Sequence, residues 1–241
     1  MKVSVIIPCF NEAGRLNKEP FLKLLQSTAT IELILIDDGS TDNTAVLLQE
    51  IRQVNPQQVV VISYPENKGK AHAVYKGMQH ALGNSHSTYI GYLDADLSTN
   101  FEELLRLAAI AGQEQADYAF GSRIKMLNHH ITRTLVRHIC GRIVTTIIDS
   151  RYRLYIYDTQ CGAKLFTPAI AKLITHSPFT TRWLFDVEIF LRIRAAQIPV
   201  KGLEIPLKEW THVGNSKISL FSFPLVCREL YQLAKHYKKH Q

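Results

Sequence analysis

Ile31-Glu-Leu-Ile-Leu-Ile-Asp-Asp-Gly-Ser-Thr-Asp42 decides the fold. Its apolar run, Glu32–Asp37, is too short for a stable helix, ends on acids and breaks at a Gly-Ser turn. A helical pattern follows from near Asp42. The same phrase recurs on both sides: Val3–Pro8, Val59–Tyr64 and Tyr89–Asp94 also read as strands. Between them, helices are expected over about Leu16–Thr28 and over Gly69–Leu82, where Gly83-Asn84 ends the turn of helix. A fourth helix is expected from Asn100, an N-cap type residue ahead of Phe101-Glu102-Glu103. Strands alternating with helices make βαβ units, so the fold class is α/β, a mostly parallel central sheet with helices on both faces.

The 241 residues, 46% hydrophobic and 20% charged, suit one globular domain over 1–241. Charge divides it. Residues 1–120 hold 9 Lys+Arg against 14 Asp+Glu and residues 121–241 hold 19 against 7, so −5 and +12 make up the net +7. An acidic first half suits a metal with a nucleotide; a basic second half suits phosphate, nucleic acid or an anionic membrane surface.

No apolar run approaches the roughly 20 residues that span a bilayer, and Asn11-Glu12 interrupts the opening one, so no leader is read there. Cys9, Cys140, Cys161 and Cys227 form no metal-type spacing and suit a reducing cytosol. In the second half Ile131, Leu135, Ile139, Ile143 and Ile147 recur every four residues, the mark of a long amphipathic helix with Arg133 and Arg137 on its other side. Val226, Leu230, Leu233 and Tyr237, beside Lys235, Lys238, Lys239 and His240, form a terminal amphipathic helix that suits either an anionic membrane or packing on its own domain.

Ligands of open parallel sheets sit at the carboxyl ends of the strands. Four such ends read Pro8-Cys-Phe-Asn-Glu12, Asp37-Asp-Gly-Ser-Thr-Asp42, Glu66-Asn-Lys-Gly-Lys70 and Asp94-Ala-Asp96. Two carboxylates closing an apolar strand would repel unless a cation joined them, and a hard divalent ion takes such oxygens while keeping positions for water and phosphate. Asp94 and Asp96 are therefore the expected metal ligands.

In this order the segments resemble the family-2 glycosyltransferases of GT-A fold over nearly the whole chain. The resemblance implies that Pro8, Phe10, Glu12, Asp37 and Asp38 hold base and ribose, with Lys70 near the nucleotide, and that Asp94 and Asp96 address ribose and metal, Mg2+ or Mn2+. It makes residues 1–120 the nucleotide-sugar half and 121–241 the acceptor half. Gly121-Ser-Arg123, Asp158–Phe166, Arg182–Glu188 and Trp210–Lys217 resemble the dolichyl-phosphate sugar synthases, most of all the β-glucosyltransferases. That implies an inverting transfer of a hexose, glucose favoured, from a UDP-sugar rather than a GDP-sugar to polyprenyl or dolichyl phosphate, at the cytoplasmic face of a membrane by peripheral contact. Arg123, with Arg133 or Arg137 and Lys217, would bind the acceptor phosphate, since guanidinium forks suit phosphate. Asp96, Arg123 and Asp158 are the expected catalytic group. Ser98 stands where a mannosyl member can offer glutamine, which favours an Asp96-centred metal. An anionic acceptor needs no base; a saccharide hydroxyl, the alternative acceptor, would need Asp158, Asp186 or Glu188. Asp158 and Asp186 could equally be structural, orienting the acceptor loop or pairing with Arg182. The alternative of another class, a nucleic-acid-binding protein, rests only on the basic half, whose cations alternate with aliphatic helix positions; no nucleic acid is expected as partner.

Overall fold

The computed structural model describes residues 1–132, 135–211 and 223–237, with backbone alone for 135–140 and 223. The chain runs β1 (Val3–Cys9), α1 (Glu19–Ser27), β2 (Ile31–Asp38), α2 (Thr44–Val54), β3 (Val59–Tyr64), α3 (Lys70–Asn84), β4 (Tyr89–Tyr92) and α4 (Phe101–Gln113). It continues through β5 (Tyr118–Ser122), β6 (His130–Thr132), α5 (Leu135–Tyr152), β7 (Lys164–Phe166), α6 (Pro168–Ile174), α7 (Phe185–Ala195), β8 (Gly202–Pro206), β9 (Glu209–Thr211) and α8 (Phe223–His236).

Seven strands make one sheet in the order β3-β2-β1-β4-β7-β5-β8, and β6 pairs with β9 in a small second sheet. Only β7 runs against its neighbours β4 and β5; β1, β2, β3 and β4 pair parallel, as do β5 and β8. The continuous apolar runs follow from burial on both faces. Val3, Val5 and Ile7 of β1, with Leu33 and Leu35 of β2, pack on Phe21 and Leu24 of α1, Leu48 and Ile51 of α2 and Leu104 and Leu107 of α4. Ile6, Ile34 and Ile36 face the other way, onto Val74 and Met78 of α3, Ile170 of α6 and Ile189 of α7. The strand period of two therefore distributes one run between two helical layers. β7 and β8, from the second half of the chain, extend the same sheet as β1–β4, so the core is continuous across Phe120.

Several boundaries differ from the expectation. β4 stops at Tyr92 rather than Asp94, because Asp94 opens a turn in which its carbonyl accepts the Leu97 N–H at 3.0 Å. α1 begins at Glu19, after Asn17 Oδ1 has accepted the Glu19 N–H and where Pro20 suits the first turn. Asn100 does cap α4, its Oδ1 accepting the Glu103 N–H at 2.8 Å.

The four-residue recurrence from Ile131 merges two elements. Ile131 lies in β6, buried against the first core cluster with Trp210. Among the described side chains of α5 the buried ones are Thr145, Ile148 and Tyr152, whereas Ile143 and Ile147 stand 53% and 47% exposed; the side chains of Leu135 and Ile139 lie outside the described residues. A four-residue step drifts around a 3.6-residue helix, so the stripe rotates off the packed face. α8 packs on its own domain: Val226 and Leu233 join Ile148, Tyr152, Leu184, Val187 and Leu191 in a satellite core.

Candidate active site

The carboxyl ends of β1, β2 and β4 bring the acidic segments together, and each acid has a defined partner. Glu12 forks onto the Arg15 guanidinium, and its own N–H donates to Thr44 Oγ1 at 2.7 Å. Pro8 and Phe10 are half-buried beside it. Asp37 Oδ1 accepts the Ser40 N–H at 3.0 Å and closes the turn before α2. Asp38 accepts the Lys68 and Gly69 N–H groups at 3.1 and 2.6 Å, so it organises the loop entering α3. Gly69 takes φ +95°, and a side chain there would press on the Arg182 guanidinium. Asp37 and Asp38 are thus buried acids that shape the two loops around the expected nucleotide position.

Lys70, the first residue of α3, reaches across the strand ends. Its Nζ bonds Asp94 Oδ1 at 2.5 Å and lies over the rings of Tyr92 and Phe185 at 5.6 and 5.5 Å. Burial disfavours its ammonium, but Asp94 and Asp186 outweigh that and hold its pKa above the ordinary lysine value. Asp94 answers in kind. Burial pushes its carboxyl up, and Lys70, followed by Lys164 and Arg123, brings it below the usual range. Its carboxylate rests on Gly162, where an added Cβ would fall 2.0 Å from Oδ2. Glycine at 162 is therefore required by this close approach.

Asp96, two residues on, uses Oδ1 to accept the Ser98 N–H at 3.0 Å. Its other oxygen lies outside that bond. Two carboxylates on one turn suit a hard divalent ion, and among the described residues no group of three or more His, Cys, Asp or Glu converges. Most of an ion's shell here would then come from water and phosphate oxygens, the habit of Mg2+ and Mn2+. Since Lys70 takes Asp94 Oδ1, Asp96 is the one of the two that could more readily hold a cation.

On the other side of β7, Arg123 forks onto Asp158, Nε to Oδ2 at 2.6 Å and Nη2 to Oδ1 at 2.7 Å, while its backbone N–H also meets Oδ2. The guanidinium lies 5.4 Å from the centre of the Trp210 ring. Burial would weaken its charge, and Asp158 more than restores it, leaving its pKa above the ordinary arginine value. Asp158 is fixed in turn, its N–H donating to Glu204 Oε1 at 2.8 Å. Segment 158–163 thus carries Asp158 against Arg123 at one end and Gly162 against Asp94 at the other. Arg133 and Lys217 lie outside the described residues, as does the side chain of Arg137.

Asp158 and Asp186 do not pair with Arg182. Asp186 instead accepts from the Tyr92 hydroxyl and from Lys164 Nζ at 2.5 Å. Lys164 is wholly buried in β7, and its Nζ also donates to the Cys161 carbonyl at 2.6 Å. Arg182 donates its N–H to Glu229 of α8, and so do Trp183 and Leu184. One buried carboxylate from α8 thereby satisfies three successive amides just ahead of α7, in whose first turn Asp186 sits. Glu188 accepts the Thr180 and Thr181 N–H groups and pairs with Arg192. Lys164, Arg15 and Glu229 were missed by sequence reasoning. Of these only Lys164 leaves a signal, as a cation between Ala163 and Leu165 in a strand of the core.

The profile of Glycosyl transferase family 2 matches residues 4–172. A dolichyl-phosphate beta-glucosyltransferase of Saccharomyces cerevisiae is 33% identical over 239 residues, spanning 90% of this chain and 69% of the relative. One of Drosophila melanogaster is 31% identical over 253 residues, spanning 98% and 76%. Among solved structures, glucosyl-3-phosphoglycerate synthase of Mycobacterium tuberculosis, in complex with Mn2+, UDP and glucosyl-3-phosphoglycerate, superposes with a TM-score of 0.66 at 14% identity, covering 100% of this chain and 86% of that one. TarS of S. aureus gives 0.59 at 17% identity, covering 99% and 40%. These two likenesses establish the GT-A fold. With the profile running from β1 into α6 and nine-tenths of its residues aligned to the yeast enzyme, this chain belongs to glycosyl transferase family 2.

Proposed function

We propose that the protein transfers glucose, with inversion, from a UDP-sugar to the phosphate of a dolichyl or polyprenyl phosphate at a membrane surface. The names of the similar yeast and fly proteins support the sugar and the lipid. The observation that carries the reading is the coupling of two charged groups through one short segment: Asp94 rests on Gly162, and Arg123 is locked by Asp158 four residues before it. A donor-side acid and a phosphate-type guanidinium are close enough for each to shift the other's ionisation.

In this reading Pro8, Phe10, Glu12, Asp37, Asp38 and Lys70 line the nucleotide side, with Asp94 and Asp96 at the diphosphate. A divalent ion held by Asp96, when bound, supplies charge stabilisation for the departing diphosphate. Arg123 presents the acceptor phosphate; with Nε and Nη2 fixed by Asp158, the plane of its fork is set before the lipid arrives. Arg133 or Arg137, and Lys217, are the further acceptor-phosphate candidates that the family resemblance supports. A phosphate oxygen attacks the anomeric carbon as the bond to the diphosphate breaks, and no proton has to be removed from the nucleophile. A saccharide hydroxyl would need a base, and the three candidates are engaged: Asp158 by Arg123, Asp186 by Lys164 and Tyr92, Glu188 by Arg192. That observation favours the lipid phosphate. Among the described residues no helix is long and apolar enough to cross a membrane; we place the contact with the bilayer at its surface, on the cytoplasmic side, where the thiols of Cys161 and Cys227 would stay reduced.

The test is transfer from radiolabelled UDP-glucose with Mn2+ to a short polyprenyl phosphate, followed by organic extraction. Label in the organic phase that mild acid releases as glucose is the expected result. Label appearing only in oligosaccharide when both acceptors are supplied would overturn the assignment.

A further inference from the structure

We infer that the turn Lys125–Asn128 is a bilayer-inserting tip that docks the protein on an anionic lipid surface beside Arg123; the inference rests on the lipid-phosphate reading for its purpose. Leu127 is 90% exposed and Met126 50%. Their exposure is built in. The Met126 carbonyl accepts the His129 N–H at 3.1 Å, and Asn128 adopts φ +64°, so the tip is a closed turn. Its base is pinned by the Arg123–Asp158 fork, by His129 Nδ1 against the Leu207 carbonyl at 2.8 Å and by the His130 N–H on the Lys208 carbonyl at 2.7 Å. A turn held at both feet presents two large apolar side chains that the domain leaves uncovered.

Charge complementarity selects the occupant. Between Gly121 and Tyr157 the sequence holds seven Lys and Arg and a single acid, Asp149. Lys125 and Arg153 are exposed, and on α5 Ile143 and Ile147, one helical turn apart, add apolar surface to the same cationic stretch. An apolar tip in a basic stretch of chain fits anionic lipid, where insertion and headgroup attraction add and outweigh the exposed acid beside the foot of the turn, Glu209 opposite His130. RNA would gain from stacking on aromatic rings, which Met126 and Leu127 lack. The geometry also suits delivery of the acceptor. Four residues separate Leu127 from Arg123, a reach of at most about 14 Å, and each headgroup layer is roughly 5–8 Å deep. A tip at the acyl boundary therefore leaves Arg123 at about the level of lipid phosphates.

The test uses the whole chain and vesicles of phosphatidylcholine with or without phosphatidylserine. Wild-type protein is expected to sediment with the phosphatidylserine vesicles and to be released by salt. The Met126→Asp/Leu127→Asp variant should bind them at least tenfold more weakly, with unchanged transfer to a short, water-soluble isoprenyl phosphate. As a second readout, Leu127→Trp should show a blue-shifted emission difference against wild type when vesicles are added. Undiminished vesicle binding by the double aspartate variant, absence of the blue shift, or binding of RNA with none to vesicles would each overturn the inference. Lack of wild-type transfer to the soluble acceptor would instead sink the proposed function, and the vesicle arms would still decide the docking surface.

Discussion

Replacing Lys164 by Met tests whether the buried ion pair under Asp94 is an integral support. Lys164 is fully enclosed and the Asp186 side chain is 6% exposed, with 2.5 Å between Nζ and Oδ1. At an effective dielectric of about 20 the attraction is ~7 kcal/mol, most of it offset by the cost of taking both charges out of water. Removing one partner leaves most of the other's cost standing: Asp186 would keep the Tyr92 hydroxyl and the more distant charge of Lys70 but lose its hydrogen-bonded cation. The expected loss is ~3–5 kcal/mol, or a fall in Tm of roughly 6–20 °C for a chain of this size. Pairing Lys164→Met with Asp186→Asn removes both charges while Asn still accepts from Tyr92, and should restore most of the loss. Urea unfolding of wild type and of the single and double variants reads these differences as shifts in midpoint. A Lys164→Met protein within about 1 kcal/mol of wild type, or a double variant less stable than the single one, would refute the reasoning.

Three other substitutions probe the site and its supports. Asp96→Asn should lower transfer on the order of 100-fold or more while leaving Tm within about 2 °C, and the stabilisation by Mn2+ plus UDP seen in wild-type melts should shrink with it; a full Mn2+ shift would contradict its role as ligand. Arg123→Lys keeps a cation against Asp158 but loses the fork, so KM for the lipid phosphate should rise about tenfold with UDP affinity unchanged; unchanged acceptor kinetics would count against it. The Glu188 carboxyl, pushed up by burial, is brought below its ordinary value by the Thr180 N–H and Arg192. A depressed folded-state pKa adds stability above about pH 4.3, the unfolded value, which is lost as pH falls through the folded one. Glu188→Gln should therefore be less stable than wild type at pH 7, with the gap closing towards pH 3 in urea titrations; a gap independent of pH would refute the assignment.

The parallel half of the fold was legible because β1 and β2 are buried on both faces and so read as unbroken aliphatic runs, while the half-buried edge strand β3 and the short buried β4 repeat the strand-then-helix spacing. The acids at their ends were legible too, since Asp94-Ala-Asp96 and Asp37-Asp38 have little reason to close apolar strands unless loops or ligands use them. Their partners were not. Lys70 meets Asp94 over 24 residues of chain and Arg123 meets Asp158 over 35, pairings set by tertiary placement alone. β6 and β9, three residues each, are too short to carry a period. The stripe through Ile143 and Ile147 misled because spacing reports which residues share a face and is silent on which face finds a neighbour. Glu229 looked like an ordinary surface acid of an amphipathic helix, yet it is 3% exposed, since the amides it satisfies belong to another element.

β7 enters the sheet out of turn, between β4 and β5, which were both made earlier in the chain. Until β7 pairs, those two strands have facing edges open, and the gap is one strand wide. Gly91 keeps the fit close, since any Cβ there would come within 2.2 Å of the Lys164 carbonyl. When the late strand slides in, it seals the edges, brings the Lys164 ammonium under Tyr92 and lays Gly162 against Asp94 in one movement. Pairing across so much sequence is slow. A newly made molecule would thus gain its acidic corner and lose its stickiest edges at the same moment, and a chaperone that shields open strands would serve it up to that step and no further.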